Sequence, residues 1–70
     1  MPFSPTKLRA AREARGWSPE MLAAQTILRD LPPVSNVTVR NLESERHKPN
    51  LATLETLAAT LGLDMADLLE

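Results

Sequence analysis

The side chains best equipped for chemistry lie in the run SNVTVRNLESERHKPN, from Ser35 to Asn50. They do not make a catalytic set. Arg12 and Glu43 carry opposite charges, but no nucleophile, glycine-rich phosphate cradle or oxyanion site accompanies them, so an enzyme is not expected. His47 is the sole histidine and cysteine is absent, so no zinc site of recognisable spacing can be drawn, and no metal or cofactor is expected. What these residue types suit is the edge of a base pair. Asn can pair bidentately with adenine and Arg with guanine, while Thr and Val can contact a thymine methyl. Asn36, Val37, Thr38, Arg40 and Asn41 supply that set, and Arg46, His47 and Lys48 follow as a basic cluster suited to phosphate. An ordinary solvated helix face has the same make-up, so the elements that carry these residues must decide between the two readings.

Ser35 is a good N-cap, and Val39 and Leu42 stand three apart, which predicts a short helix over 36–44 with one side turned inward. Upstream, Ser4-Pro5 and Ser18-Pro19-Glu20 are both start signals, a capping hydroxyl followed by proline at the first helical position. They predict helices over 5–15, stopped by Gly16, and over 19–29. Leu8, Ala11 and Ala14 are expected to face inward on the first, Lys7, Arg9 and Arg15 to face water, and Trp17 to plug the corner between the two. Pro32-Pro33 excludes helix and places a turn at residues 30–34. Asn50 caps a helix over 51–61, whose Leu51, Leu54, Leu57, Ala58 and Leu61 form an apolar stripe ending at Gly62. Asp64 then caps a short fifth helix over 65–69.

Seventy residues make a single domain over 1–70, near the size where one core supplies only about 3–5 kcal/mol. With 43% hydrophobic residues but one Phe and one Trp, that core must be aliphatic, and Leu and Ala favour helix over strand. The expected fold class is all-α, a compact five-helix orthogonal bundle without a sheet. No apolar run approaches the roughly 18–20 residues needed to span a bilayer, and MPFSPTK lacks the apolar stretch of a signal peptide. Together with the missing cysteines, this predicts a cytoplasmic protein with no membrane partner. Net charge is −1, but the charge is polarised: residues 1–50 hold eight basic and five acidic groups, a net of +3, and residues 51–70 hold four acids and no base, a net of −4. A basic face is therefore compatible with an acidic total, although the non-specific pull on DNA should be weak.

With the helices placed, the chain resembles the Cro and C1-repressor type helix-turn-helix family, also called the Xre family. The resemblance runs from Leu8 to Leu69 and rests on LRAAREARGWS, LAA in the second helix, and VSNVTVRNLESERHKPNLATLETLAATLGL. Its most specific piece is Leu-Glu followed by Lys-Pro-Asn and the Leu-rich stripe. The resemblance implies a lambda-repressor-like DNA-binding domain, with the third helix in the major groove of double-stranded DNA. Asn36, Val37, Thr38, Arg40 and Asn41 would then face base edges. Ser35, Arg46, His47, Lys48 and Asn50 would face the sugar-phosphate backbone. It also implies a structural ion pair between Arg12 and Glu43.

Three features depart from the family pattern. Pro19 stands where a Gln near the start of the second helix usually touches phosphate or base. Ten residues, 24–33, separate Leu22-Ala23 from Val34-Ser35 where about four are usual, so Ile27, Leu28 or Leu31 is expected to replace the usual core residue. Glu45 stands where the family often has Gly with positive φ, so either it adopts that conformation at a cost of about 1 kcal/mol or the exit geometry differs.

Two functions fit these features. One is a sequence-specific transcriptional regulator, expected to be a repressor binding a palindrome as a weak or DNA-assisted homodimer. The other is a protein-interaction module on the same scaffold, antitoxin-like or docking on a polymerase or another regulator through the enlarged segment 27–33. Leu63, Met65, Leu68 and Leu69 are expected to complete the core, with one or two of them open to a dimer contact.

Overall fold

The computed structural model describes residues 2–70, which form four α-helices, α1 (Pro5–Ala14), α2 (Pro19–Leu28), α3 (Asn36–Glu43) and α4 (Leu51–Leu61), and one turn of 3-10 helix, Met65–Leu68. Each α-helix starts on a side-chain oxygen that accepts an otherwise unpaired backbone N–H. Ser4, Ser18 and Ser35 accept from the amides of Lys7, Met21 and Thr38, and Asn50 Oδ1 accepts from Thr53, at 2.8–3.2 Å. Pro5 and Pro19 occupy first-turn positions whose N–H would have had no partner.

All four helices end the same way. The amide just after a positive-φ residue reaches back into the last turn: Trp17 to the Arg12 carbonyl, Leu31 to Thr26, Arg46 to Asn41 and Leu63 to Ala58, at 2.8–3.2 Å. Such a closure needs one residue with positive φ. Gly16 and Gly62 provide it for α1 and α4, but Asp30 (φ 57°) and Glu45 (φ 63°) are forced into it after α2 and α3. Glu45 therefore takes the family's glycine conformation without the glycine.

The core is aliphatic and draws on every helix: Leu8, Leu22, Val39, Leu42, Leu57 and Leu68 are all essentially inaccessible to solvent. Trp17 is only half-buried at the α1–α2 corner, its ring covered by the Arg15 guanidinium at 5.2 Å. Ala14 is exposed, not inward, because α1 is nearly complete at that point and its buried side is carried by Leu8 and Arg12. Leu51 opens the α4 stripe but is 64% exposed, so the stripe packs inward only from Leu54.

The expected fifth α-helix over 65–69 is instead the single 3-10 turn. Asp67 and Leu69 donate to carbonyls three residues back, Asp64 and Ala66, and Leu69 is already extended. The N-terminal segment pulls it out. Ser4 N–H donates to the Leu68 carbonyl and Glu70 N–H to Pro2, both at 2.8 Å, and Phe3 and Leu69 form an isolated antiparallel bridge, the one β pairing among the described residues. Lys7 Nζ adds a 2.6 Å bond to the Leu69 carbonyl. Four residues held between Asp64 and this bridge cannot complete α-helical i→i−4 bonding.

The enlargement between α2 and α3 is divided between a longer second helix and a wider turn. α2 runs on to Leu28, and a seven-residue connection, 29–35, follows. None of the expected apolar residues becomes the core replacement. Ile27 and Leu28 are 66% and 75% exposed, and Leu31 is half-buried. Thr26 is fully buried instead. Its hydroxyl donates to the Ala23 carbonyl at 2.7 Å and accepts from Val34 N–H at 3.2 Å, so it satisfies a buried backbone donor in the connection that an aliphatic side chain would have left unpaired. Hydrogen bonding, not volume, selects the residue here.

Candidate nucleic-acid interface

At about 100° per residue, Val39 and Leu42 place the buried side of α3 opposite Val37, Arg40 and Asn41. Those three form one outward face: Val37 is 60% exposed and central, Arg40 is exposed, and Asn41 is half-buried beside it. Asn36 and Thr38 lie on its two flanks, each half-buried. The side-chain amides of Asn36 and Asn41 take no hydrogen bond among the described residues, so their donors and acceptors are open. Thr38 differs. Its hydroxyl lies 3.0 Å from that of Ser35, which also accepts the Thr38 N–H, so the pair is already engaged in holding the start of the helix.

The inward edge of α3 is fixed by a pair of buried charges. Glu43 accepts from Arg12 Nε at 2.7 Å and Nη2 at 2.8 Å, and Arg12 Nη1 donates to the Trp17 carbonyl at 2.6 Å. Hydrogen bonding to Glu43 pushes the Arg12 guanidinium above its ordinary value, against the opposing effect of burial. The bidentate fork fixes orientation as well as distance, and it joins the end of α3 to α1. α3 also packs on α2, so its outward face is held by two helices.

Arg40 has a partner that the sequence did not reveal. Its Nη2 is hydrogen-bonded to the Glu20 carboxylate, reaching from the first turn of α2 to the outward face of α3. The Glu20 carboxyl is held below the ordinary carboxylate range, first by a backbone N–H and then by Arg40. Beside this pair an open groove of ≈ 490 Å³ runs between α1, the start of α2 and α3, lined by Arg9, Arg12, Pro19, Arg40, Glu43 and Ser44.

Beyond α3, Arg46, His47 and Lys48 are all exposed in the connection to α4. They stand on the same end of the helix as the αL residue Glu45. Ser35 and Asn50 are exposed too, but each already commits one oxygen to a helix cap; the Asn50 amide nitrogen is left for an outside partner, while the Ser35 hydroxyl is shared with that of Thr38.

This arrangement of α2, connection and α3 within a four-helix frame coincides with a family match: a helix-turn-helix model fits residues 8–68. The chain belongs to the Cro/C1-type helix-turn-helix family. Searches of curated proteins and of solved structures gave no match. The family is one of DNA-binding regulatory domains and not of enzymes.

In this helix-turn-helix domain α2 and α3 flank the enlarged turn, and Thr26, near the end of α2, ties that turn to the helix through the Val34 N–H. No helix among the described residues is long and apolar enough to cross a membrane. Glu20 and Thr26 escaped the sequence reading for different reasons. Glu20 reads as a favourable first-turn acid, and its contact lies twenty residues away. Thr26 reads as a polar break in an apolar run, and only the position of the Val34 amide shows why it is buried.

Proposed function

We propose that the chain is a sequence-specific DNA-binding transcriptional regulator, acting as a repressor, that inserts α3 in the major groove. The observation that carries this reading is the outward face of α3: Val37, Arg40 and Asn41 side by side, flanked by Asn36 and Thr38, on a helix whose other side is fixed by Arg12, Glu43, Val39 and Leu42. Asn36 and Asn41 present unused amides suited to adenine, Arg40 a guanidinium suited to guanine, and Val37 and Thr38 methyl groups suited to thymine. Ser35, Arg46, His47, Lys48 and Asn50 take the sugar-phosphate backbone and set register rather than sequence.

The regulator binds as a weak or DNA-assisted homodimer on a palindrome. The chain measures 29 × 21 × 19 Å, and half-sites one helical turn apart are about 34–36 Å between centres, so each half-site needs its own copy. The test is selection of bound duplexes from a random-sequence pool, then fluorescence anisotropy on the selected duplex at two salt concentrations. A palindrome should emerge, with binding that weakens as salt rises. Asn41→Ala should cost about 1–3 kcal/mol of specific affinity and relax one base pair. If Asn36, Arg40 and Asn41 can all become Ala without changing operator affinity, the reading is lost.

A second reading is favoured by the exposure of Ile27 and Leu28 beside Pro32 and Pro33, apolar surface that the enlarged turn adds to the motif. On this reading the segment 27–33 docks a protein partner, as an antitoxin-like or polymerase-contacting module does. Hydrogen exchange separates the two: added operator should protect α3 and the 44–50 connection, and an added protein partner should protect 27–33.

A further inference from the structure

The Glu20–Arg40 pair is out of place as a stabilising device. Both side chains are well exposed, 47% and 60%, and exposed ion pairs contribute little to folding. Its position is informative instead. It joins the first turn of α2 to the outward face of α3, on the surface assigned above to base reading. An unpaired arginine on that surface would have two competing targets, a base edge and the nearer, more negative phosphates. A carboxylate held against one side of the guanidinium changes that competition in three ways. It cancels the charge that phosphate attracts. It fixes a flexible side chain in one direction. It also repels a phosphate from the same space.

Resting on the DNA-binding reading, we propose that Glu20 is a positioning residue that determines specificity, holding Arg40 so that it reads a guanine in the major groove and cannot anchor on the backbone. The geometry leaves the necessary donors open. Glu20 takes a bond from Nη2 alone, while Nε and Nη1 have no partner among the described residues. Nη1 and the second Nη2 hydrogen suffice for the bidentate bond to guanine O6 and N7. The neighbouring charges do not substitute for Glu20. Arg9 is bound to Glu13 at 3.6 Å on α1, and Glu43 is saturated by Arg12. The arrangement exchanges affinity for selectivity: the carboxylate weakens binding to every duplex but weakens binding to the wrong ones more.

The test uses the full chain and four variants, Glu20→Gln, Glu20→Ala, Arg40→Ala and the double variant Glu20→Gln, Arg40→Ala, each checked for wild-type helicity by circular dichroism. Random-pool selection gives the base preference, and anisotropy on the selected and a scrambled duplex gives the salt dependence. Wild type should require guanine at one position of each half-site. In both Glu20 variants that preference should fall about tenfold, the discrimination carried by one bidentate contact, while the scrambled duplex binds more tightly. Its log–log salt slope should steepen by about 0.9, the value of one added phosphate contact, as Arg40 is released to the backbone. In the Arg40→Ala background, Glu20→Gln should leave base preference unchanged, since Glu20 acts through Arg40. If the Glu20 variants keep the guanine preference and the salt slope while wild type still selects a site, this inference is overturned and the DNA-binding reading stands. Wild type that is folded but selects no duplex overturns both.

Discussion

Replacing Glu43 by Ala leaves the Arg12 guanidinium inside the protein with no counter-charge. The two side chains are 9% and 10% exposed, so Arg12 would stay largely desolvated where it sits. Nε and Nη2 lose acceptors at 2.7 and 2.8 Å, and Nη1 keeps only the Trp17 carbonyl. Breaking one side of a buried pair costs on the order of 3–5 kcal/mol. A core of this size supplies about 3–5 kcal/mol in all, so Glu43→Ala is expected to be marginally folded at best at 25 °C. Arg12→Met should be at least as damaging, because it strands the carboxylate and the Trp17 carbonyl together. The double variant Arg12→Met, Glu43→Leu should recover much of the loss, since two desolvated charges are exchanged for apolar contact. The assay is equilibrium urea unfolding of all four proteins, followed by Trp17 fluorescence and far-ultraviolet circular dichroism, closed as a double-mutant cycle. Stabilising solute can be added equally to all four where a variant lacks a folded baseline. The expected coupling is about 3 kcal/mol. A coupling under about 1 kcal/mol, the range of exposed pairs, would refute the claim that this fork fixes α3 on α1.

Three further outcomes follow from the same structure. Asp30→Gly and Glu45→Gly should each stabilise by about 0.5–1 kcal/mol, the relief of a left-handed conformation less the added freedom of the unfolded chain, and the urea midpoints should rise in the single variants and further in the double. Thr26→Val should cost about 1–3 kcal/mol despite similar volume, because it leaves the buried Val34 N–H unpaired, and hydrogen exchange should show the Val34 amide opening faster than in wild type. The Glu20 carboxyl is depressed in the folded protein, so its contribution is present above the ordinary carboxylate range and is lost as pH falls through its lowered value. The difference in urea midpoint between wild type and Glu20→Gln should therefore stay constant from about pH 8 to about pH 5 and shrink only in stronger acid.

The helix starts were legible because their causes are local. Ser4, Ser18, Ser35 and Asn50 each act on an amide three residues ahead, and such a cap can be read from neighbouring letters. The inward stripe of α3 was legible from period alone. What could not be read were the features decided by distant partners. Ile27 and Leu28 satisfy the helical pattern, yet both stay exposed, and the buried position goes to Thr26, whose hydroxyl accepts the Val34 N–H. The final segment has the cap of an α-helix and enough apolar residues, but Pro2 and Ser4 compete for its last carbonyl and amide and leave a 3-10 turn. On the candidate interface, residue type and helical face were readable from the chain, while the Glu20 bond to Arg40 was not, because nothing in spacing brings the first turn of α2 to the middle of α3.

A net charge of −1 looks unfavourable for a DNA-binding chain, but the placement of the acids makes it coherent with the proposed reading. Of the five acids in residues 1–50, Glu43 is consumed by Arg12 inside the protein, Glu13 by Arg9 on α1, and Glu20 by Arg40 at the surface assigned to base contact. Glu45 sits directly before Arg46 and opposes the pull of Arg46 and Lys48 on phosphate. Such a surface gains little from the counterion release that drives binding to any duplex. Its affinity must then come from contacts that depend on sequence, and a low non-specific background is what allows a few base contacts on a short α3 to distinguish one site from its many competitors.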